Sequence, residues 1–120
     1  SSLMRLLVTA YKPSVANIRV YGKFLNALDN DTIDQRPYEE LTLTTVSTLD
    51  SKDEDRADFK EFEYNMPASM LTGSSNEYQY TSGAVTYTGY KYFKIKIVLT
   101  TSNTAKAPRL KDYRAIALQK

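Results

Sequence analysis

The chain contains no cysteine and no histidine. Without cysteine there is no disulfide framework, no thiolate nucleophile and no cysteine metal site. Without histidine the commonest general base and the commonest transition-metal ligand are missing. Ser-His-Asp and Cys-His catalysis within this chain are therefore excluded. Carboxylates alone can still catalyse, so these absences argue against an enzyme without forbidding one. Tryptophan is absent as well. No apolar run approaches the roughly 20 residues that span a bilayer, so no membrane partner is expected. Ser1-Ser2-Leu3-Met4-Arg5 lacks the charged start and apolar block of a signal peptide. The sequence opens directly on a strand pattern with no initiator Met, and reads as a segment of a longer polypeptide.

What is present is a pattern of strands. The 120 residues read as one domain, 1–120. A chain of this size buries roughly two-thirds of its unfolded surface, enough for one core without staples. Leu3–Ala10 is apolar at alternate and intervening positions, the pattern of a strand buried on both sides. Tyr11-Lys12-Pro13-Ser14 ends it, since Pro13 cannot donate to a ladder. Ile18, Val20, Gly22 and Phe24 alternate with Arg19, Tyr21 and Lys23 as in a half-buried strand. Asp29-Asn30-Asp31-Thr32 is turn chemistry. Tyr38–Val46 reads as a strand, Asp50–Asp58 as an exposed acidic loop, and Phe59–Met66 as a strand stopped by Pro67. Gly73-Ser74-Ser75-Asn76 and Ser82-Gly83 are turns around two short strands, Tyr78–Tyr80 and Val85–Tyr87. Near the end, Phe93, Ile95, Ile97 and Leu99 alternate with Lys94 and Lys96, and a final strand covers Arg109–Leu118.

No stretch has a convincing period of 3.6. The fold class expected is all-β, a jelly-roll-like antiparallel β-sandwich.

The formal net charge of +2 hides an uneven distribution. Residues 29–63 hold twelve acids against four bases, and residues 91–120 hold eight bases against one acid, Asp112. The plain expectation is neutralisation between neighbouring strands; contact with an acidic partner surface is the functional one. Nucleic acid is not an expected partner, because the net charge is small and no base is interleaved with the tyrosines before Lys91.

Four constellations could carry chemistry. Asp29, Asp31 and Asp34, with Glu40 at the twelfth position, resemble a calcium loop in part. Ile33 stands where a ligand belongs and Asp34 where the turn needs Gly, so no metal and no cofactor is expected. Asp50, Asp53, Glu54 and Asp55 read as a solvated loop. Glu61 and Glu63 share one strand face, roughly 6–7 Å apart by strand rise. They and Glu39-Glu40 are the only carboxylate pairs on ordered segments that glycosidase chemistry could use. Tyrosine is the strongest signal, with five of ten falling between Tyr78 and Tyr92. Such rings pack at a sheet rim, anchor a protein interface or stack on sugars. Tyr78, Tyr80, Tyr87 and Tyr90 are the candidate partner- or glycan-binding residues, with Asn76 and Gln79 as polar helpers for a glycan and Lys91–Lys96 as the basic strand facing an acidic patch. On that reading, Tyr80→Ala with Tyr87→Ala weakens assembly and leaves the fold intact.

Five segments carry a resemblance that runs in order through nearly the whole chain: Leu3–Ser14, Asn17–Lys23, Asp58–Tyr64, Phe93–Leu99 and Pro108–Leu118. The most specific parts are Ala10-Tyr11-Lys12-Pro13, Phe59-Lys60-Glu61-Phe62-Glu63-Tyr64 and the Pro108–Leu118 end. They are similar to a β-sandwich domain of virion structural proteins from tailed bacteriophages, those of marine cyanobacteria closest in character. The resemblance implies a non-enzymatic component of the virion, in tail fibre, baseplate or associated protein. Its implied partners are other tail proteins and copies of itself, in a homotrimer or higher ring. It carries over no site residues. The alternative is a carbohydrate-binding module attaching to a host cell-surface glycan.

Overall fold

A computed structural model describes residues 1–44, 50–52, 55–72 and 76–118. Their architecture is all-β, with 3-10 turns as the only helical pieces. The ten strands among the described residues are β1 (Leu3–Tyr11), β2 (Ala16–Leu25), β3 (Glu39–Glu40), β4 (Thr42–Leu43), β5 (Lys60–Asn65), β6 (Leu71–Thr72), β7 (Glu77–Ser82), β8 (Val85–Thr88), β9 (Tyr92–Thr101) and β10 (Arg109–Leu118). They form three antiparallel sheets in the orders β10-β1-β5-β4, β3-β2-β9 and β6-β7-β8. The two larger sheets share one core. Met4, Leu6 and Val8 of β1 meet Ile18, Val20 and Phe24 of β2 in a single buried cluster with Phe62 and Tyr64 of β5. The expected all-β fold class is present, its strands among the described residues arranged in antiparallel sheets of four, three and three.

Period-two patterning explains which faces are buried. On β2, Ile18, Val20, Gly22 and Phe24 point inward, while Arg19 is exposed and Tyr21 and Lys23 are half-exposed. On β5, Phe62 and Tyr64 point inward, and the Tyr64 hydroxyl donates to the Ile18 carbonyl 3.0 Å away, tying the two sheets together. β1 corrects the sequence reading. Met4, Leu6, Val8 and Ala10 are fully buried, but Arg5 is exposed and Leu3, Leu7 and Thr9 are only partly covered. Leu7 stands on an outer face between Arg114 and Glu63, its cross-strand neighbours. The extra apolar residues of β1 thus mark a central strand of a one-sided sheet.

The expected Tyr38–Val46 strand is also corrected. It splits at Leu41, which is buried and donates its amide to the Val20 carbonyl at 2.8 Å. Before Leu41 the chain pairs with β2; after it the chain pairs with β5. This crossing segment shuts one side of the sandwich. The rest of that expected strand, Thr45 and Val46, lies outside the described residues. The start of the expected acidic loop, at Asp50 and Ser51, is tethered rather than free. Ser51 is buried, its amide donates to the Lys12 carbonyl and its hydroxyl accepts from the Lys12 amide, while Lys12 Nζ sits 2.7 Å from Asp50.

The small third sheet caps the end of the sandwich where β2 finishes. Ser82 pairs with Val85 across a two-residue turn whose first position, Gly83, has φ 63°, as a type II′ turn requires. Gly89 has φ 79°, and a Cβ there would lie 2.9 Å from the Ser1 carbonyl oxygen. That oxygen accepts the Tyr90 amide at 2.8 Å. Gly89→Ala should therefore lower stability by about 1–3 kcal/mol, through a strained φ and a backbone clash together. Urea denaturation checks this; an unchanged midpoint would remove the argument.

Candidate functional site

The four candidate tyrosines converge at the capped end, but mostly inward. Tyr78, Tyr80 and Tyr90 are 1, 7 and 4 % exposed, and only Tyr87 keeps a half-exposed ring. Tyr78 and Tyr80 alternate with Glu77, Gln79 and Thr81 on β7, so the strand turns both rings to the core. Phe24 is the hub. Its ring centroid lies 5.0 Å from Tyr78 and 5.0 Å from Tyr90, both tilted, and Tyr78 continues to Tyr80 and Tyr80 to Tyr87 at 5.8 and 5.2 Å. Tilted pairs at such distances suit the ring quadrupoles. The rings therefore hold the cap on the sandwich. Removing Tyr80 would disturb the fold, so the Tyr80→Ala, Tyr87→Ala pair does not isolate assembly. Of the proposed glycan helpers, Gln79 is spent within its own sheet, bonded to Thr72 of β6 and Thr88 of β8, and Asn76 is an exposed turn residue at φ 57°.

The hydroxyls in this cluster have specific partners. Tyr90 donates to the Leu3 carbonyl at 2.7 Å, and burial pushes its pKa up to about 12. Tyr80 donates to Asp29 Oδ2 at 2.7 Å and accepts the Asn26 amide at 3.0 Å; burial again raises it to about 12. Asp29 is held below the usual carboxylate range, first by the Asp31 amide and then by Tyr80. Tyr78 Oη is sealed from water without a hydrogen bond of ordinary geometry, as is Glu39 Oε2 beside it. Burial, then the Glu39 charge, drives the Tyr78 hydroxyl strongly upward.

Sequence reasoning missed Arg36. Its Nε donates to the Phe24 carbonyl at 3.1 Å, its guanidinium carbon lies 3.7 Å over the Tyr80 ring, and its Nη2 stands 3.6 Å from Glu39. One planar cation thus serves a carbonyl, a π face and a carboxylate. Burial raises the Glu39 pKa, and Arg36 opposes that rise. Arg36 falls in a polar loop before Pro37, where nothing in the local pattern marks it as interior.

The carboxylate constellations disperse. Asp29 serves Tyr80, Asp34 pairs with Lys94 at 2.6 Å, and Asp31 is exposed. Among the described residues no three acidic side chains are grouped to hold a metal ion. Glu61 and Glu63 share the outer face of β5 as expected. Glu63 is held below the usual range, foremost by a hydrogen bond from Asn65, then by Thr44 and Arg5. That is the opposite of what a general acid needs. Asp50 pairs with Lys12 and Asp58 with Lys60, while Asp53 and Glu54 lie outside the described residues. The basic strand partly follows the plain expectation of neutralisation: Lys94 meets Asp34, and Lys96 sits 4.4 Å from the Tyr38 ring centroid.

The side of the sandwich away from the β3–β4 crossing is built differently. There β9 and β10, ten residues each, are the edge strands of their sheets, one beside β2 and the other beside β1. Their core-facing residues are incompletely covered. Phe93 is 41 % exposed, Leu110 39 % and Tyr113 53 %, and Ile95, Ile97 and Leu99 are only partly buried. The face expected to be buried on β9 is thus half open, because no further strand lies beyond it among the described residues. No family model, no curated protein and no solved structure matches this chain.

Proposed function

We propose that this chain is a non-enzymatic structural module that works through protein–protein assembly. Its proposed setting is the virion of a tailed bacteriophage, as a tail-fibre, baseplate or tail-associated component. The observation that carries assembly is the open side: two long parallel-lying edges with half-exposed Phe93, Leu110 and Tyr113 between them. Long edges of this kind offer a row of backbone donors and acceptors and are normally covered in a working protein. The virion setting rests on the sequence resemblance. A glycan-holding module needs several rings open on one face, and Tyr87 alone of the four candidates offers one.

Light scattering on the chain with its native flanking sequence tests the reading. The expected mass is that of two or more copies, with β9 and β10 amides slow to exchange with deuterium. A stable monomer with freely exchanging β9 and β10 that binds on a glycan array would replace assembly with attachment.

A further inference from the structure

The two long sides of the sandwich carry opposite charge. β9 and β10 hold Lys94, Lys96, Arg109, Lys111 and Arg114 against Asp112, a net of +4. The strands on the far side of β1 and β2 are β3, β4 and β5. They hold Glu39, Glu40, Glu61 and Glu63 against Lys60, a net of −3; Lys94 is already paired with Asp34 and Glu39 with Arg36, which leaves +3 on the open side and −2 on the other. Sheet order fixes the separation: β10 and β4 are opposite edges of one sheet, and β9 and β3 of the other. Building on the assembly reading above, we infer that the open β9/β10 side of one copy docks on the β3–β5 side of a second copy, head to tail.

The occupant follows from charge and shape. Two open sides meeting face to face would bring +3 against +3 once the Lys94–Asp34 pair is set aside, and like charges across an interface oppose association. A second copy turned head to tail brings −2 against +3 after these internal pairs, and its exposed Leu43 adds apolar surface opposite Phe93 and Tyr113. Ten residues per edge strand give a side about 33 Å long. With the smallest molecular dimension of 20 Å, that is comparable with the roughly 800 Å² per partner of a standard interface. Lysines on an edge strand also serve merely to keep edges apart. That role requires no acidic counterpart on the opposite side and no exposed rings on the basic one. A head-to-tail contact uses two different surfaces per copy, so it closes into a ring or runs on as a filament.

Complementary charge reversal tests this. One variant carries Lys111→Glu and Arg114→Glu, the other Glu40→Lys and Glu61→Lys; all four positions are exposed. Sedimentation velocity at low salt should show the parent chain associating, and association about tenfold or more weaker in each variant alone. Mixing the two variants should restore association, and raising salt from about 25 to 500 mM should dissolve it as screening shortens to a few ångströms. Circular dichroism confirms that the variants fold; if one does not, the salt titration of the parent chain decides. Association that neither salt nor reversal changes would overturn head-to-tail docking and leave the assembly reading standing. A parent chain that stays monomeric at low salt would overturn both.

Discussion

Phe24→Ala should cost about 3–5 kcal/mol of folding stability, the range for truncating an aromatic ring in a core. Phe24 is 1 % exposed and touches the rings of Tyr78 and Tyr90. It also lies over Gly22, where an added Cβ would stand 2.6 Å from its ring. The glycine leaves room for the ring, and the ring fills what the glycine leaves open. Losing the ring removes two aromatic pairs, worth about 0.5–1.5 kcal/mol each beyond area. It also opens a cavity between β2, β7 and the segment that carries Tyr90. For a domain of this size the melting temperature should fall by roughly 10–25 °C. Phe24→Leu should recover part of the loss, since it refills some volume without restoring the ring contacts. Urea denaturation of both variants checks this, and a loss below about 1 kcal/mol for Phe24→Ala would show that the cap does not depend on this ring.

The second large effect is electrostatic. Arg36→Met should cost about 2–4 kcal/mol near neutral pH, because it leaves the half-buried Glu39 carboxylate without its cation. It also removes the donor to the Phe24 carbonyl and the cation over Tyr80. The pH dependence is specific. Burial already raises Glu39 above its unfolded value, and Arg36 holds the rise in check. Without Arg36 the folded-state pKa goes higher still. A carboxyl raised in the native state binds its proton more readily folded than unfolded, so its protonation adds stability as pH falls. The deficit of the variant should therefore shrink as pH drops through the raised Glu39 value toward the ordinary carboxylate range. The lowered carboxylates Asp29, Asp34, Asp58 and Glu63 act in the other direction, losing stability below their folded values. Asp34, Asp58 and Glu63 owe nothing to Arg36 and cancel between the two proteins, while Asp29 draws the last and smallest part of its lowering from Arg36, so the difference between the curves reports mainly Glu39. Combining Arg36→Met with Glu39→Gln should flatten that difference. A deficit independent of pH would assign the loss to packing alone.

The strands were legible because a half-buried strand writes its face into alternate residues. β2, β5, β7 and β9 each show this, and the outward Lys94 and Lys96 lie as their positions require. Alternation identifies a face without saying what covers it. Phe93, Ile95, Ile97 and Leu99 read as core, yet β9 is an edge and its face is half open. Leu7 read as a second buried face, yet it lies on an outer surface between charged neighbours. The tyrosine cluster contained the opposite signal: Tyr78 and Tyr80 alternate with polar residues, which already argued for burial over display. Arg36 left no trace, because two of its three contacts, the Phe24 carbonyl of β2 and the Tyr80 ring of β7, are distant in sequence, and only Glu39 of β3 is local. Asp29 and Asp34 were recognisable as an acidic turn, but their partners, Tyr80 and Lys94, are distant in sequence.

The strand order also governs how the chain must fold. The central strands of both large sheets are the first two made, while their outer neighbours are the last two, with Leu3 paired to Leu118 and Ala16 to Thr101. Such sequence-distant pairings slow folding, placing β-rich domains of this kind in the millisecond-to-second range. During synthesis β1 and β2 emerge well before β9 and β10, so Met4, Leu6, Val8, Ile18 and Val20 wait incompletely covered for partners made much later. Loss of β10 would leave one flank of β1 unpaired, so this strand stands between an aggregation-prone intermediate and the completed sandwich.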